Sequence, residues 1–215
     1  MPAGIAPECQ LMAVRVLATL QSDGRKQGAG VVDNINPAIK WAVDHHADVI
    51  NMSLGIRHHG GGLPHEDVIR YALARGVIVV AASGNDGTDT KYYPGALPGV
   101  VAVGAVDRYG SVASFTSYGA RITVAAPGVD IVSSFADGSY AVASGTSQAS
   151  PYVAGVVALL KSFAREQGIR LEVDDVTRIL RETSDRPARR LRSDHIGYGA
   201  VNMTDALKWL MASLN

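Results

Sequence analysis

The sequence predicts an α/β fold built on a mostly parallel β-sheet with helices on both faces. Its apolar runs are short and lie between Gly and Pro residues, as in the Val-Ile-Val-Val run at 77–80, which is typical of buried parallel strands. Segments with helical apolar spacing alternate with these runs, and that alternation predicts a parallel sheet covered by helices on both faces. The 215 residues are enough for a single domain, 1–215, with a real core.

The first half of the chain divides into strands and helices by periodicity and by its turn residues. Strands are expected at 9–17 and 48–54, and the polar, Gly-rich stretch 21–30 is expected to be a loop. The helix predicted at 34–46 places Ile35, Ile39, Ala42 and Val43 on one face, with Pro37 in its first turn. The helix predicted at 64–75 ends at Gly76.

The second half continues the same alternation and then becomes irregular. Strands are predicted at 77–82 and 100–106, with a turn at 83–87 between them. The pair 131–135 and 139–144 is expected to form a hairpin across residues 136–138. A long helix of small residues begins near Thr146, and helices at 173–182 and 203–211 close the chain.

Composition excludes several classes of function. The formal net charge is zero, 19% of residues are charged, and no basic block indicates a nucleic-acid partner. No apolar run is long enough for a membrane span. Cys9 is the only cysteine, so no internal disulfide is possible, and the compartment stays open because many secreted proteins also lack disulfides. The first residues do not resemble a signal peptide.

The stretch Gly-Thr-Ser-Gln-Ala-Ser-Pro at 145–151, followed by Tyr-Val-Ala-Gly, carries the strongest chemical signal. It places Ser147 in the first turn of a helix, where unpaired backbone N–H groups and partial positive charge can hold an anion. A Ser/Thr pair that caps a core helix is the structural alternative. The whole stretch, however, resembles the nucleophile motif of the subtilisin-like serine peptidases, the subtilases.

The resemblance extends along nearly the whole chain. Landmarks similar to those of subtilases occur in the same order, at 4–17, 48–55, 79–85, 93–95, 114–115, 126–128 and 197–202. It implies that Ser147 is the nucleophile and that its backbone N–H and the side-chain amide of Asn85 form the oxyanion hole. Asn85 also has a plainer interpretation as a turn residue.

The resemblance further implies where a substrate binds. Gly28, Ala29 and Gly30 would face Ser53, Leu54 and Gly55 across a groove in which the substrate lies as an added strand. Ala82, Ser83 and Gly84 would line the pocket for the side chain before the scissile bond. Tyr92 stands where the family often has a small residue near the floor of that pocket, and a tyrosine there would favour smaller or differently shaped side chains.

The triad of the family needs an aspartate and a histidine besides the serine, and neither motif occurs in this sequence. His45, His46, His58, His59, His65 and His195 are each expected at the surface rather than beside Ser147. We therefore expect a sheet that is incomplete at its N-terminal side and a second polypeptide, or a removed N-terminal segment, that carries Asp and His.

Two functions remain open at this stage. The first is a serine endopeptidase that is nearly inactive as the isolated chain, and the alternative is a pseudo-peptidase that binds a peptide or protein partner without cleaving it. No His/Cys cluster has the spacing of metal ligands, and calcium is implied by the resemblance alone.

Overall fold

The computed structural model describes residues 4–22, 25–135, 138–186 and 192–213, with the backbone alone described for residues 20–22 and 25–28. In chain order, its elements are β1 (Ala18–Ser22), β2 (Arg25–Ala29), α1 (Val32–Asp44), β3 (Val49–Met52), β4 (Ile56–Arg57), α2 (Glu66–Leu73), β5 (Ile78–Ala82), β6 (Tyr92–Tyr93), β7 (Val101–Val106), β8 (Ile122–Pro127), β9 (Ile131–Ser134), β10 (Tyr140–Ala143), α3 (Thr146–Glu166), α4 (Val173–Thr183) and α5 (Met203–Ala212).

A four-stranded parallel sheet in the order β3-β5-β7-β8 forms the centre of the fold. All five residues of β5 and all six of β7 are buried, because both faces of this sheet are covered. Along β5, Ile78 and Val80 belong to one apolar cluster while Val79 and Ala81 belong to the other. This two-residue alternation divides the core into two layers.

Helices cover both faces, as predicted. The long helix α3 contacts all four strands of the sheet on one face, where α4 and α5 pack beside it. On the other face, α1 and α2 pack against each other and α2 contacts β5. The buried residues of α1 are Ile35, Ile39, Ala42 and Val43, which confirms the face predicted from their spacing. Among the described residues, no helix is both long and apolar enough to cross a membrane.

Two predictions near the start of the chain are wrong. Residues 9–17 form no strand, and the predicted loop 21–30 contains β2 and the end of β1, which pair with each other antiparallel. Leu11 is 89% exposed and Leu17 is 36% exposed. An apolar segment forms the hydrogen bonds of a β-ladder only when a neighbouring strand is available, and no described strand pairs with residues 9–17.

The sequence also missed three short or irregular strands. β8 closes one edge of the central sheet, and β4 pairs with β6 in a two-stranded ladder. The predicted hairpin is confirmed as β9 and β10, paired from Ile131 with Ala143 to Ser134 with Tyr140. Residues 136–137 of its turn lie outside the described residues, as does the Arg-rich stretch 187–191.

Candidate active site

The N-terminus of α3 meets the carboxyl ends of two neighbouring sheet strands. Ser53 follows β3, Gly84 and Asn85 follow β5, and Thr146 and Ser147 open α3. The crevice at the carboxyl ends of parallel strands is where ligands bind in open α/β sheets. The helix begins after Gly145 without a side-chain cap from its own first residues, so its free N–H groups depend on other parts of the chain.

Asn85 supplies that cap from the end of β5. Its Oδ1 accepts the backbone N–H of Thr146 at 2.8 Å and the Thr146 hydroxyl at 2.9 Å. Because a backbone N–H can only donate, the atom that faces it must be the amide oxygen, which fixes the orientation of the carboxamide. The Thr146 Oγ1 also accepts the N–H of Gly84 at 3.2 Å.

Two hydrogen-bond donors at this point have no partner among the described residues. With Oδ1 occupied by Thr146, the Nδ2 group of Asn85 makes no hydrogen bond there, and neither does the backbone N–H of Ser147. A methyl group at Gly145 would lie 3.4 Å from Asn85 Nδ2, which places this amide beside the first turn of α3. Two free donors at a helix N-terminus suit an anion or the oxygen of a polarised carbonyl.

The hydroxyl of Ser147 is held by the end of β3. It donates to the backbone oxygen of Ser53 at 3.2 Å, and the Ser53 hydroxyl donates in return to the backbone oxygen of Ser147 at 2.8 Å. Asn51 supports Ser53 through Nδ2 at 3.0 Å and accepts the Ser150 hydroxyl at 2.6 Å. This chain of bonds fixes the first turn of α3 against β3.

Asn51, Ser150 and Thr146 are site residues that the sequence analysis did not single out. Ser150 and Thr146 are completely buried within α3, and Asn51 interrupts the apolar strand β3. Polar residues within apolar elements are costly unless they are hydrogen-bonded. For Thr146 and Ser150 that cost was the available signal, whereas Asn51 is exposed and its role in positioning Ser147 follows from its hydrogen bonds.

No imidazole reaches Ser147 within the described residues, which include all six histidines. The Ser147 hydroxyl contacts a neutral peptide oxygen, which is no base. Five histidines are exposed, as predicted, but the prediction for His65 is wrong, since it is only 3% exposed. Its Nδ1 lies 2.6 Å from Asn36 Oδ1, because the side chain is packed between α1 and α2, and burial lowers its pKa below 6.5.

The predicted substrate-binding residues fall into two groups. The segments 53–55 and 82–84 both meet the first turn of α3, through Ser53 with Ser147 and through Gly84 with Thr146. Ala82 and Ser83 are buried, and Leu54 is half-buried. By contrast, Gly28 and Ala29 pair with Thr19 and Ala18 of β1, and Gly30 packs against Leu17. Substrate binding by either group stays a prediction.

No group of three or more His, Cys, Asp or Glu side chains that could hold a metal ion occurs in the described part of the chain. Calcium stays a prediction that rests on the resemblance alone.

Comparison with known proteins places this geometry in a family. The family model described as the subtilase family matches residues 2–199. The chain is 40% identical over 207 residues to a thermophilic serine proteinase of Bacillus sp. (strain AK1), which covers 96% of the chain and 47% of that protein. It is 41% identical over 158 residues to subtilisin BL of Lederbergia lenta, covering 74% of the chain and 55% of that protein.

A solved structure agrees with the sequence matches. The patellamide maturation protease PatA superposes with a TM-score of 0.81 at 29% identity, over 97% of this chain and 77% of that one. In the two sequence matches, the chain spans about half the length of each relative. Its parallel sheet, its Gly-Thr-Ser helix start and these matches lead to one conclusion: the chain belongs to the subtilase family of serine peptidases.

Proposed function

We propose that this chain is the nucleophile-bearing part of a serine endopeptidase whose general base comes from outside the 215 residues. Ser147 Oγ attacks the scissile carbonyl, and the oxyanion that forms accepts hydrogen bonds from the Ser147 backbone N–H and Asn85 Nδ2. The leaving amine takes the proton that a histidine has removed from Ser147. Water then hydrolyses the acyl-enzyme and restores the hydroxyl.

The pair of free donors at the first turn of α3, where Ser147 lies, carries this proposal. Asn85 Oδ1 is committed to Thr146 at 2.8 and 2.9 Å, so the carboxamide is held with its donor end unused. A helix-capping role alone explains the oxygen of Asn85 but gives no use for Nδ2 or for the Ser147 N–H. Fixed donors that need no reorganisation during the reaction are what an oxyanion hole requires.

The contact of the Ser147 hydroxyl supports an external base. A serine hydroxyl stays protonated near neutral pH and becomes a nucleophile only when a base accepts its proton. Here the proton is directed at the oxygen of Ser53. An arriving imidazole has to displace this bond, so the isolated chain is expected to turn over substrate very slowly.

The open edge of the sheet supports a second polypeptide as the source of that base. Within the described residues, β3 pairs with β5 alone, which leaves one side of β3 available to another strand. The stretch 11–17 is likewise mostly apolar and exposed, with Leu11 89% and Met12 43% exposed. Soluble proteins normally cover such edges and apolar segments.

The proposal is tested by labelling Ser147 with a fluorophosphonate probe, which reacts with an activated serine. The full chain is labelled alone, with added imidazole, and with a polypeptide that carries the Asp and His motifs of the family. We expect negligible labelling alone, an imidazole-dependent rise because free base can fill the vacant place of the histidine side chain, and the fastest labelling with the polypeptide. Ser147→Ala is the matched control and should remain unlabelled throughout.

The outcomes separate the two functions. Fast labelling and proteolysis by the purified chain alone would show that the base lies within it and would refute the external base. Labelling that never rises with imidazole or with the polypeptide, together with intact recovery of a bound peptide, would favour the non-cleaving peptide-binding protein. Equal peptide affinity in the native chain and in Ser147→Ala would support that second interpretation.

A further inference from the structure

Ser117 is a buried polar residue that the proposed reaction does not use. It is 1% exposed and lies between β7 and β8. Burying a hydroxyl and a peptide group is costly unless both are hydrogen-bonded. Within the described residues, the hydrogen bonds of Ser117 all lead to the short segment 83–86, so its burial is coupled to that segment.

The hydrogen bonds of Ser117 hold the chain on both sides of Asn85. The Ser83 hydroxyl donates to the backbone oxygen of Ser117 at 3.0 Å, and the Ser117 N–H donates to the backbone oxygen of Gly84 at 3.0 Å. After Asn85, the N–H of Asp86 donates to the Ser117 hydroxyl oxygen at 3.2 Å. None of these bonds uses a group of Asn85, yet together they fix its position in the chain.

The close approach of Ser117 depends on a glycine at position 84. A methyl group at that position would lie 2.8 Å from Ser117 Oγ, well inside the roughly 3.5 Å at which such atoms pack. The φ of 113° at Gly84 is also a conformation that glycine adopts far more readily than other residues. Gly84 therefore allows the two segments to meet at hydrogen-bonding distance.

Thr116 anchors Ser117 to the central sheet. The Thr116 hydroxyl accepts the N–H of Ala105 in β7 at 3.0 Å and donates to the oxygen of the same residue at 3.1 Å. Thr116 is 1% exposed, so water does not compete for these bonds. Two further backbone bonds, at 2.7 and 2.9 Å, join the segments 87–88 and 115–118. The chain around Asn85 is thus tied to β7 as well as to its own strand, β5.

The free amide of Asn85 needs support at two points. Its Oδ1 is held by Thr146, but its Cα is held only through the neighbouring residues of the chain. If the Cα moved, Nδ2 would pivot about Oδ1 and leave its place. An oxyanion donor has to lie about 2.7–3.1 Å from the developing charge, and a misplacement of about 1 Å can cost about 10²-fold in rate.

We propose that Ser117 is a positioning residue for the oxyanion hole, because it fixes the backbone on both sides of Asn85 and thereby directs Nδ2. The inference rests on the proposed function, since it assigns a role within the same site. The competing explanation is that Ser117 only stabilises the connection between β7 and β8. Loss of stability is common to both explanations, whereas a change in the Asn85 amide follows from positioning alone.

The first test observes the Asn85 amide directly and requires no reaction. Ser117→Ala keeps the backbone groups of residue 117 and removes the acceptor of the Asp86 N–H. In proton–nitrogen correlation spectra of the full-length chain, we expect the Asn85 Nδ2 signals of this variant to move towards those of an unstructured asparagine. Asn85→Ala lacks these signals and so assigns them.

Ser184→Ala is the matched control for this spectrum. Ser184 is also a buried serine, 7% exposed, and its hydroxyl donates to the backbone oxygen of Leu180 at 2.6 Å. It follows α4, away from the first turn of α3. The same substitution there should lower Tm but leave the Nδ2 signals of Asn85 at their native positions.

The second test measures labelling of Ser147 by the fluorophosphonate probe at one fixed concentration of imidazole. Asn85→Ala should slow labelling by about 10²–10³-fold, and Ser117→Ala by about tenfold or more. Because Ser117 acts through Asn85, the double variant should be no slower than Asn85→Ala alone. Ser83→Ala removes the other side-chain bond to Ser117, should change the same two readouts, and serves if Ser117→Ala fails to fold.

The results distinguish failure of this inference from failure of the proposed function. Native Asn85 signals in Ser117→Ala and Ser83→Ala would overturn the inference, even if Ser147 of the native chain is labelled as expected. Additive losses in the double variant, or an equal change of the Asn85 signals in Ser184→Ala, would overturn it as well. The expected spectral changes in a chain that is never labelled would uphold the positioning of Asn85 and refute the peptidase.

Discussion

Replacing Thr146 with Val should weaken both the start of α3 and the fixing of Asn85. Thr146 is completely buried, and Val has nearly the same shape, so the change leaves no cavity. It removes the bond from the Thr146 hydroxyl to Asn85 Oδ1 at 2.9 Å and the bond from Gly84 N–H to the same hydroxyl at 3.2 Å. The N–H of Gly84 is then left without its acceptor.

The magnitude follows from these two bonds. A lost neutral hydrogen bond costs about 0.5–1.5 kcal/mol, and a buried donor left unpaired costs about 1–3 kcal/mol. Gly84 is only half-buried, so water relieves part of the second cost, and we expect a loss of about 2 kcal/mol in the free energy of unfolding. For a chain of this size that corresponds to a decrease in Tm of about 4–8 °C.

Thermal melts followed by circular dichroism, together with urea titrations, measure this loss. Thr146→Ser keeps the hydroxyl and should lose only the roughly 1 kcal/mol of a buried methyl group. The double variant with Asn85→Ala tests the coupling, because the lost bond is shared and the two single losses should not add. A Thr146→Val chain that melts within about 1 °C of the native one would refute the assigned hydrogen bonds.

Two further changes test the fold around the site. Burial lowers the pKa of His65 below 6.5, so as the pH falls the unfolded chain takes up a proton at this residue before the folded chain does. The contribution of His65 to the free energy of unfolding is therefore complete above pH 6.5 and decreases as the pH falls below it. Asn suits the φ of 66° at this position and can still form a hydrogen bond with Asn36. His65→Asn should therefore flatten the pH dependence of Tm between about pH 5 and 7. His59→Asn, at an exposed position, is the control and should leave that dependence unchanged. Leu160 is completely buried in α3, so Leu160→Ala should lower the free energy of unfolding, measured in urea, by about 2–5 kcal/mol. Ile169→Ala, at a position that is 37% exposed, should lower it by less than about 1 kcal/mol. Equal losses in the two variants would contradict the packing of α3.

The elements that the sequence predicted well are those with a strong local pattern. In α1, four apolar residues at helical spacing identified the buried face without any knowledge of the sheet. The start of α3 was equally clear, since the Gly-Thr-Ser sequence interrupts the apolar runs on either side. In both cases the residues that specify the element lie within the element, so no distant contact had to be known.

The wrong predictions concern segments whose state depends on distant partners. Residues 9–17 have the apolar composition of a strand, but a strand also needs a neighbour, and composition does not reveal whether one is present. The strand β8 was missed because Thr123 interrupts its apolar run and Pro127 ends it, yet its position at the edge of β7 tolerates both. The burial of His65 likewise depends on Asn36, 29 residues earlier.

The candidate site shows the same distinction between local and distant information. The motif around Ser147 and the turn at Asn85 were readable because each is a short local pattern. The hydrogen bonds that give these residues their geometry join positions 61 to 99 residues apart, as in Thr146 with Asn85 and Ser150 with Asn51. No spacing rule predicts such pairs, so the roles of Asn51, Thr146 and Ser150 became visible in the structure alone.

Asn85 connects the stability of the fold with the proposed chemistry. Its oxygen satisfies the first free N–H of α3, and because that bond fixes the carboxamide, the nitrogen of the same group is left as a donor beside Ser147. A residue chosen only to cap the helix could be Ser, Thr or Asp, but none of these offers an N–H donor at the same time. If Asn85 and Ser147 act as proposed, the packing of α3 on β5 assembles the anion-binding half of the site independently of the base. Under the proposed function, a completing polypeptide has to deliver only an oriented imidazole to a site whose donors are already in place.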